Sequence, residues 1–165
     1  MLSKIIPPIG GDTLFANTQK AYEELNDEMK LKIENLKVVH SAKLPYADDG
    51  FYATETEKRS MNIITSKEAK KEQIHSLVKV HPETQKKGLF INPVYTSHIQ
   101  GFNEEESFLL LSKLYEHMTQ EKYIYRHKWK ENMLLMWDNR TVMHMAEGGY
   151  DGYDRLLHRI TIANS

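Results

Sequence analysis

The stretch from Trp137 to Ile160, WDNRTVMHMAEGGYDGYDRLLHRI, decides how this chain is read. An apolar run ends near a histidine, His144. A glycine-rich turn follows, and a second apolar run carries Arg155 and Arg159. In an extended strand, side chains two and four residues apart share a face. That sets both arginines on one side, roughly 13 Å apart along the strand. Two guanidiniums fixed beside an imidazole are costly to bury unless anions meet them. These residues alone leave two readings open: a surface hairpin with salt-bridged arginines, and an anion site beside a histidine.

A length of 165 residues suits one domain, 1–165, with a real core. Lys and Arg number 22 against 23 Asp and Glu, interspersed along the chain, so no basic stripe points to nucleic acid. The sequence has no cysteine, which excludes disulfides, thiolate chemistry and cysteine zinc sites. A metal would have to be held by His, Asp or Glu, a set that favours iron, manganese or zinc. No apolar run approaches membrane-spanning length and the N-terminus shows no signal-peptide pattern. The expectation is a cytoplasmic protein with no membrane partner, and a homo-oligomer is compatible with it.

Residues 1–6 read as a strand. Pro7, Pro8, Gly10 and Gly11 then enforce a turn before Asp12–Phe15 resumes extended structure. Asn17 or Thr18 caps a helix over 19–25, and a second helix places Met29, Ile33 and Leu36 on one face. A short strand over 38–40 precedes a long excursion, 41–76, with a helical turn near 68–75. Strands follow at 77–80 and 89–92. Asn103 and Glu106 stand at capping-box spacing and open the clearest helix, with an apolar stripe of Phe108, Leu111, Leu114, Tyr115 and Met118. Strands over 123–129, 133–137 (of buried type), 142–146 and 156–162 complete the set. The pattern predicts a mostly β, antiparallel protein with helical insertions.

With GGDT at Gly10–Thr13, HPETQKKGLFIN at 81–92 and WDNRTVMH at 137–144 in hand, the chain resembles the taurine dioxygenase family of iron(II)- and 2-oxoglutarate-dependent dioxygenases. The likeness runs in order from Pro7 to Ile162. It implies a double-stranded β-helix (jelly roll), incomplete on its N-terminal side. It also implies that His144 is the second histidine of a facial iron-binding triad. Arg155 would clamp the distal carboxylate of the cosubstrate 2-oxoglutarate, with Thr13 contacting the same carboxylate. Arg159 would meet the anionic group of the substrate, and Tyr95 would line its pocket. The implied partners are 2-oxoglutarate, oxygen and a small anionic substrate: taurine or another sulfonate, an alkyl sulfate or an aryloxyacetate. A planar guanidinium suits a carboxylate because it donates two parallel charge-assisted hydrogen bonds.

The other polar residues have structural readings. Asp138 and Asn139 fix the turn before the strand, His40 and His81 satisfy local partners, and His158 points away from the arginines. In the family the remaining two iron ligands come as an H-x-D pair ahead of the PPxGGDT turn. The chain starts a few residues before that turn, so the expectation is that two of three ligands are absent. Three explanations compete: a fragment of a normal enzyme, which is favoured, an inactive paralogue serving as a binding module, or one half of a two-chain site.

Overall fold

The computed structural model describes residues 1–54 and 63–162. The strands are β1 (Leu2–Ile5), β2 (Thr13–Asn17), β3 (Lys37–Ser41), β4 (Glu72–Ser76), β5 (Val78–Val80), β6 (Lys87–Leu89), β7 (Thr96–Ile99), β8 (Ile124–His127), β9 (Val142–Ala146) and β10 (Leu156–His158). The helices are α1 (Thr18–Glu23), α2 (Asp27–Ile33), α3 (Lys43–Tyr46), α4 (Phe51–Thr54) and α5 (Glu104–Met118). Every strand pair is antiparallel: β1 with β10, β2 between β8 and β9, β3 between β4 and β7, and β5 with β6. The expected mostly β architecture with helical insertions is what the chain adopts.

Local chemistry accounts for the helix ends. The Asn17 side chain accepts from the Lys20 N–H at 2.9 Å and caps α1, and Asn26 does the same for α2 through Met29 at 2.8 Å. At α5, Asn103 accepts from the Glu106 N–H at 2.8 Å while Glu106 accepts from the Asn103 N–H at 3.1 Å, a complete capping box.

The apolar core gathers helices α1, α2 and α5 and the strands β3, β5, β6 and β7. It joins Ala21, Tyr22 and Leu25 of the α1 region to Ile33, Val38, Leu77, Leu89, Ile99 and the buried face of α5. The buried face of α5 corrects the expected stripe: Ser107, Leu110, Leu111, Leu114 and Met118 are inside, and Phe108 is 68% exposed. The Ser107 hydroxyl accepts from the buried Ile99 N–H at 3.1 Å, which rotates a polar residue inward and Phe108 outward.

Five further expectations need correction. The helical turn placed near 68–75 is a short 3-10 turn, Lys67–Lys70, followed by β4, which pairs in register with β3. Residues 133–137 form only a bridge, Leu2 to Leu134, beside β1. Leu134 and Met136 are exposed, so this stretch has one covered face and is not of buried type. β6 spans Lys87–Leu89 and ends before Asn92, and β10 covers only Leu156–His158 of the expected 156–162. Part of the 41–76 excursion is ordered by α3 and α4, with Lys70 bridging Asp48 and Asp49; its residues 55–62 lie outside the described ones.

Candidate functional site

The turn at Gly10–Gly11 positions one wall. Both glycines adopt positive φ, +66° and +70°, which suits residues without a Cβ. The Gly11 N–H donates to the Gly148 carbonyl at 3.0 Å and the Glu147 N–H donates to the Asp12 carbonyl at 2.8 Å. The sequence GGD thus lies against the second glycine-rich loop, 147–149, and Arg126 ties the two together by pairing with both Asp12 and Glu147. A Cβ at Gly11 would meet Arg155 Nε at 2.9 Å, so its absence is what lets the Arg155 side chain pass.

Arg155 is held from two sides. Its Nη2 donates to the Gly11 carbonyl at 3.0 Å and its guanidinium carbon lies 5.5 Å from the centre of the Tyr150 ring. Its Nε is buried and meets no hydrogen-bond partner among the described residues. A buried guanidinium nitrogen in that condition calls for an acceptor from outside the chain. Thr13, 4% exposed, follows the turn as the first residue of β2, and its hydroxyl oxygen accepts from Trp129 Nε1 at 2.9 Å.

His144 lies on β9 opposite Phe15 of β2, on the same sheet face as Thr13. Its ring lies 6.1 Å from Phe15 and 5.1 Å from Trp137, centre to centre. Burial lowers its pKa, and the positive charge of Arg159 lowers it further. The neutral imidazole so favoured is the form that ligates a metal. Arg159 itself is exposed. Tyr95 sits near it, stacked on Tyr46 at 6.5 Å and 16°. Burial and a hydrogen bond to Tyr46 push the Tyr95 hydroxyl up to about 12, with Arg159 acting the other way.

One cleft of about 970 Å³ is lined by Thr13, Tyr95, His144, Arg155 and Arg159 together. All five residues singled out from the sequence are brought to it. Leu157 lines it as well, between the two arginines, whereas exposed His158 does not, which fits the strand alternation expected there.

The HP and WDNR motifs form a latch beside the cleft. His81 Nδ1 accepts from the Thr84 N–H at 3.1 Å, and Nε2 meets Asp138 Oδ2 at 3.0 Å. Arg140 donates to the same carboxylate through Nε and Nη2 at 2.6–3.0 Å. The Arg140 guanidinium, ahead of His81, holds the Asp138 carboxyl well below the usual range. His81-Pro82-Glu83 is an H-x-E sequence, but His81 is engaged in this latch and does not line the cleft.

Sequence reasoning missed a second cluster on the cleft lining. His40 stacks on Phe90 at 5.4 Å and 14°, His75 meets both rings edge-on, and Lys79 Nζ lies 3.5 Å from the Phe90 centre. Burial, then the nearby His75 and Lys79, lower the His40 pKa to about 4. His40, His75 and Lys79 come from separate strands and Phe90 follows β6, so no local spacing announces them.

The antiparallel scaffold and its cleft define a class: a β protein whose cleft brings two arginines and a partly buried imidazole together. The family model for taurine catabolism dioxygenases, the TauD, TfdA family, matches residues 1–161, and the chain belongs to that family. Its fold is accordingly the double-stranded β-helix, without barrel closure among the described residues. The chain is 37% identical over 160 residues to an alkylsulfatase of Acinetobacter baylyi, covering 96% of this chain and 50% of that protein. It is 37% identical over 148 residues to an alpha-ketoglutarate-dependent 2,4-dichlorophenoxyacetate dioxygenase of a Burkholderia species, covering 87% and 46%. The crystal structure of AAD-2 in complex with Mn(II) and N-oxalylglycine superposes with a TM-score of 0.76 at 35% identity, covering 93% of this chain and 57% of that one. The chain therefore spans about half the length of these relatives.

The donor set suits one of the groups the family implies and not the other. The 2-oxoglutarate carboxylate fits: Arg155 carries a buried nitrogen without a partner, and Thr13 a hydroxyl proton not donated to any described residue. An iron ion does not fit this chain alone. Among the described residues no three His, Asp or Glu side chains gather as a metal site, and His144 supplies a single imidazole.

Proposed function

We propose that this chain forms the anion-binding half of a 2-oxoglutarate-dependent dioxygenase acting on a small anionic organic substrate. The convergence of Thr13, His144, Arg155 and Arg159 on one cleft carries this reading. Arg155, fixed by Gly11 and Tyr150, takes the distal carboxylate of 2-oxoglutarate, assisted by the Thr13 hydroxyl. Arg159, further out, takes the sulfonate, sulfate or carboxylate of the substrate, with Tyr95 beside it. N-oxalylglycine, the molecule bound in AAD-2, differs from 2-oxoglutarate by an N–H in place of a methylene, which favours the cosubstrate assignment. The net reaction of the assembled site converts 2-oxoglutarate, oxygen and a C–H bond into succinate, carbon dioxide and a hydroxylated substrate. His144 would supply one ligand to Fe(II), and the remaining ligands would have to come from outside the described residues. The site operates in the cytoplasm.

Isothermal titration of the 165-residue chain with 2-oxoglutarate tests the cosubstrate site. Arg155→Ala is expected to weaken binding tenfold or more, since it removes charge-assisted hydrogen bonds of about 1.5–3 kcal/mol each. Equal affinity in the variant refutes the assignment.

A second reading is favoured by the lack of a gathered metal-ligand set among the described residues: a binding module that keeps the anion cradle without metal chemistry. The bases upstream of the Met1 codon discriminate. An in-frame segment encoding H-x-D restores the enzyme, and its absence supports the module.

A further inference from the structure

Thr13 is fixed by a contact that the cosubstrate reading does not use. Trp129 and Thr13 are both buried, and the indole Nε1–H donates to Thr13 Oγ1 at 2.9 Å. A hydroxyl holds one proton and two lone pairs. Occupying one lone pair with the indole N–H restricts rotation about the Cβ–Oγ bond. The remaining proton is then presented to an acceptor, and no described residue receives it.

The indole is itself fixed. The His127 ring meets it edge-on, with centres 4.5 Å apart and planes at 86°. His127 stands opposite Thr13 in the β2–β8 register, so both project from one sheet face. Ala146 flanks Thr13 on the other side from β9. Its small side chain leaves Thr13 on the cleft wall, where both residues lie with Arg155.

We infer that Trp129 is a positioning residue for cosubstrate binding. It holds the Thr13 hydroxyl with its proton directed at the distal carboxylate of 2-oxoglutarate, next to the Arg155 fork. The inference rests on the cosubstrate reading above. Trp129 touches no cosubstrate atom and acts only through Thr13, and a neutral hydroxyl fixed in advance loses less freedom on meeting a carboxylate.

A double-mutant cycle tests it, with 2-oxoglutarate affinity of the full 165-residue chain as the readout. Trp129→Phe keeps a ring in place and deletes the N–H; it is expected to weaken binding about threefold to tenfold. Thr13→Val deletes the hydroxyl and should weaken binding by about tenfold. The double variant should bind no worse than Thr13→Val alone, because without the hydroxyl the indole has nothing to orient. Thr13→Ser should restore both the affinity and its dependence on Trp129.

Equal losses from Trp129→Phe with and without the Thr13 hydroxyl overturn the inference, since they mark a packing effect. So does full affinity in Trp129→Phe. Should either variant unfold, the nitrogen-bound proton signal of the Trp129 indole in the unaltered chain decides. It is expected to shift on titration with 2-oxoglutarate, and an unmoved signal at saturation overturns the inference. Binding that depends on Arg155 but follows neither prediction sinks this inference alone. No binding at all sinks the cosubstrate reading with it.

Discussion

Replacing Gly11 by alanine probes how the turn serves the cleft. At φ +70° the residue lies in the left-handed region, where a Cβ costs about 1–2 kcal/mol. The new methyl would also lie 2.9 Å from Arg155 Nε and 3.1 Å from its Cδ, closer than carbon contacts allow. The obstacle is a side chain, so the chain can fold, but Arg155 must give way and loosen its bond to the Gly11 carbonyl. Gly101→Ala is the matched control. Its φ is +85°, and nothing lies within 4 Å of the position a Cβ would take.

Both variants are expected to lose about 1–2 kcal/mol of stability, seen as a Tm lower by roughly 2–8 °C for a chain of this size. Only Gly11→Ala should also lose 2-oxoglutarate affinity. Displacing one charge-assisted hydrogen bond removes about 1.5–3 kcal/mol, a loss of tenfold or more. Thermal melts and titration calorimetry on the two proteins give both numbers. Indistinguishable affinities in the two variants would refute the argument that Gly11 makes room for Arg155.

His40, lowered from 6.5 to about 4, leaves the unfolded state with the greater proton affinity. Its contribution is therefore present above pH 6.5 and lost as pH falls towards 4. Urea melts of His40→Phe should show a flatter loss of stability between those pH values than the parent, whatever its absolute stability. With the missing metal ligands supplied, Arg159→Ala should raise the substrate requirement while substrate-independent decarboxylation of 2-oxoglutarate stays largely intact; identical behaviour of Arg155→Ala would refute the division of labour. The 165-residue chain with added Fe(II) is expected to bind iron weakly and to release no succinate, so succinate formation by it would show that the chain completes the metal site by itself.

Signals within one turn or one strand were legible. Asn103 and Glu106 announce the α5 cap, and the odd-numbered positions Arg155, Leu157 and Arg159 announce a shared face, because both depend on neighbours a few residues away. The α5 stripe was misread because Ser107 is drawn inward by the Ile99 N–H, a partner eight residues back on another element. β4 was misread because the edge strand EQIHS keeps four of its five residues exposed and shows no apolar alternation. The His40–His75–Phe90 cluster was invisible for the same reason: it arises only when strands far apart in sequence pair.

The two arginines occupy one face yet differ in how much the fold decides for them. Arg155 is constrained by the Gly11 carbonyl, the Tyr150 ring and the space left by a missing Cβ, so its fork is fixed before any ligand arrives. Arg159 follows the last residue of β10 and is exposed; what reaches Tyr95 and His144 is the influence of its charge. A fixed fork binds one unchanging carboxylate with little ordering cost, as a cosubstrate requires. A freer fork at a strand end can meet anions of different size and reach. That difference fits the proposed division of labour, with Arg155 for the cosubstrate and Arg159 for the substrate. On the proposed reading, substrate choice would be set around Arg159, where Tyr46 and Tyr95 stack, rather than in the rigid turn that holds Arg155.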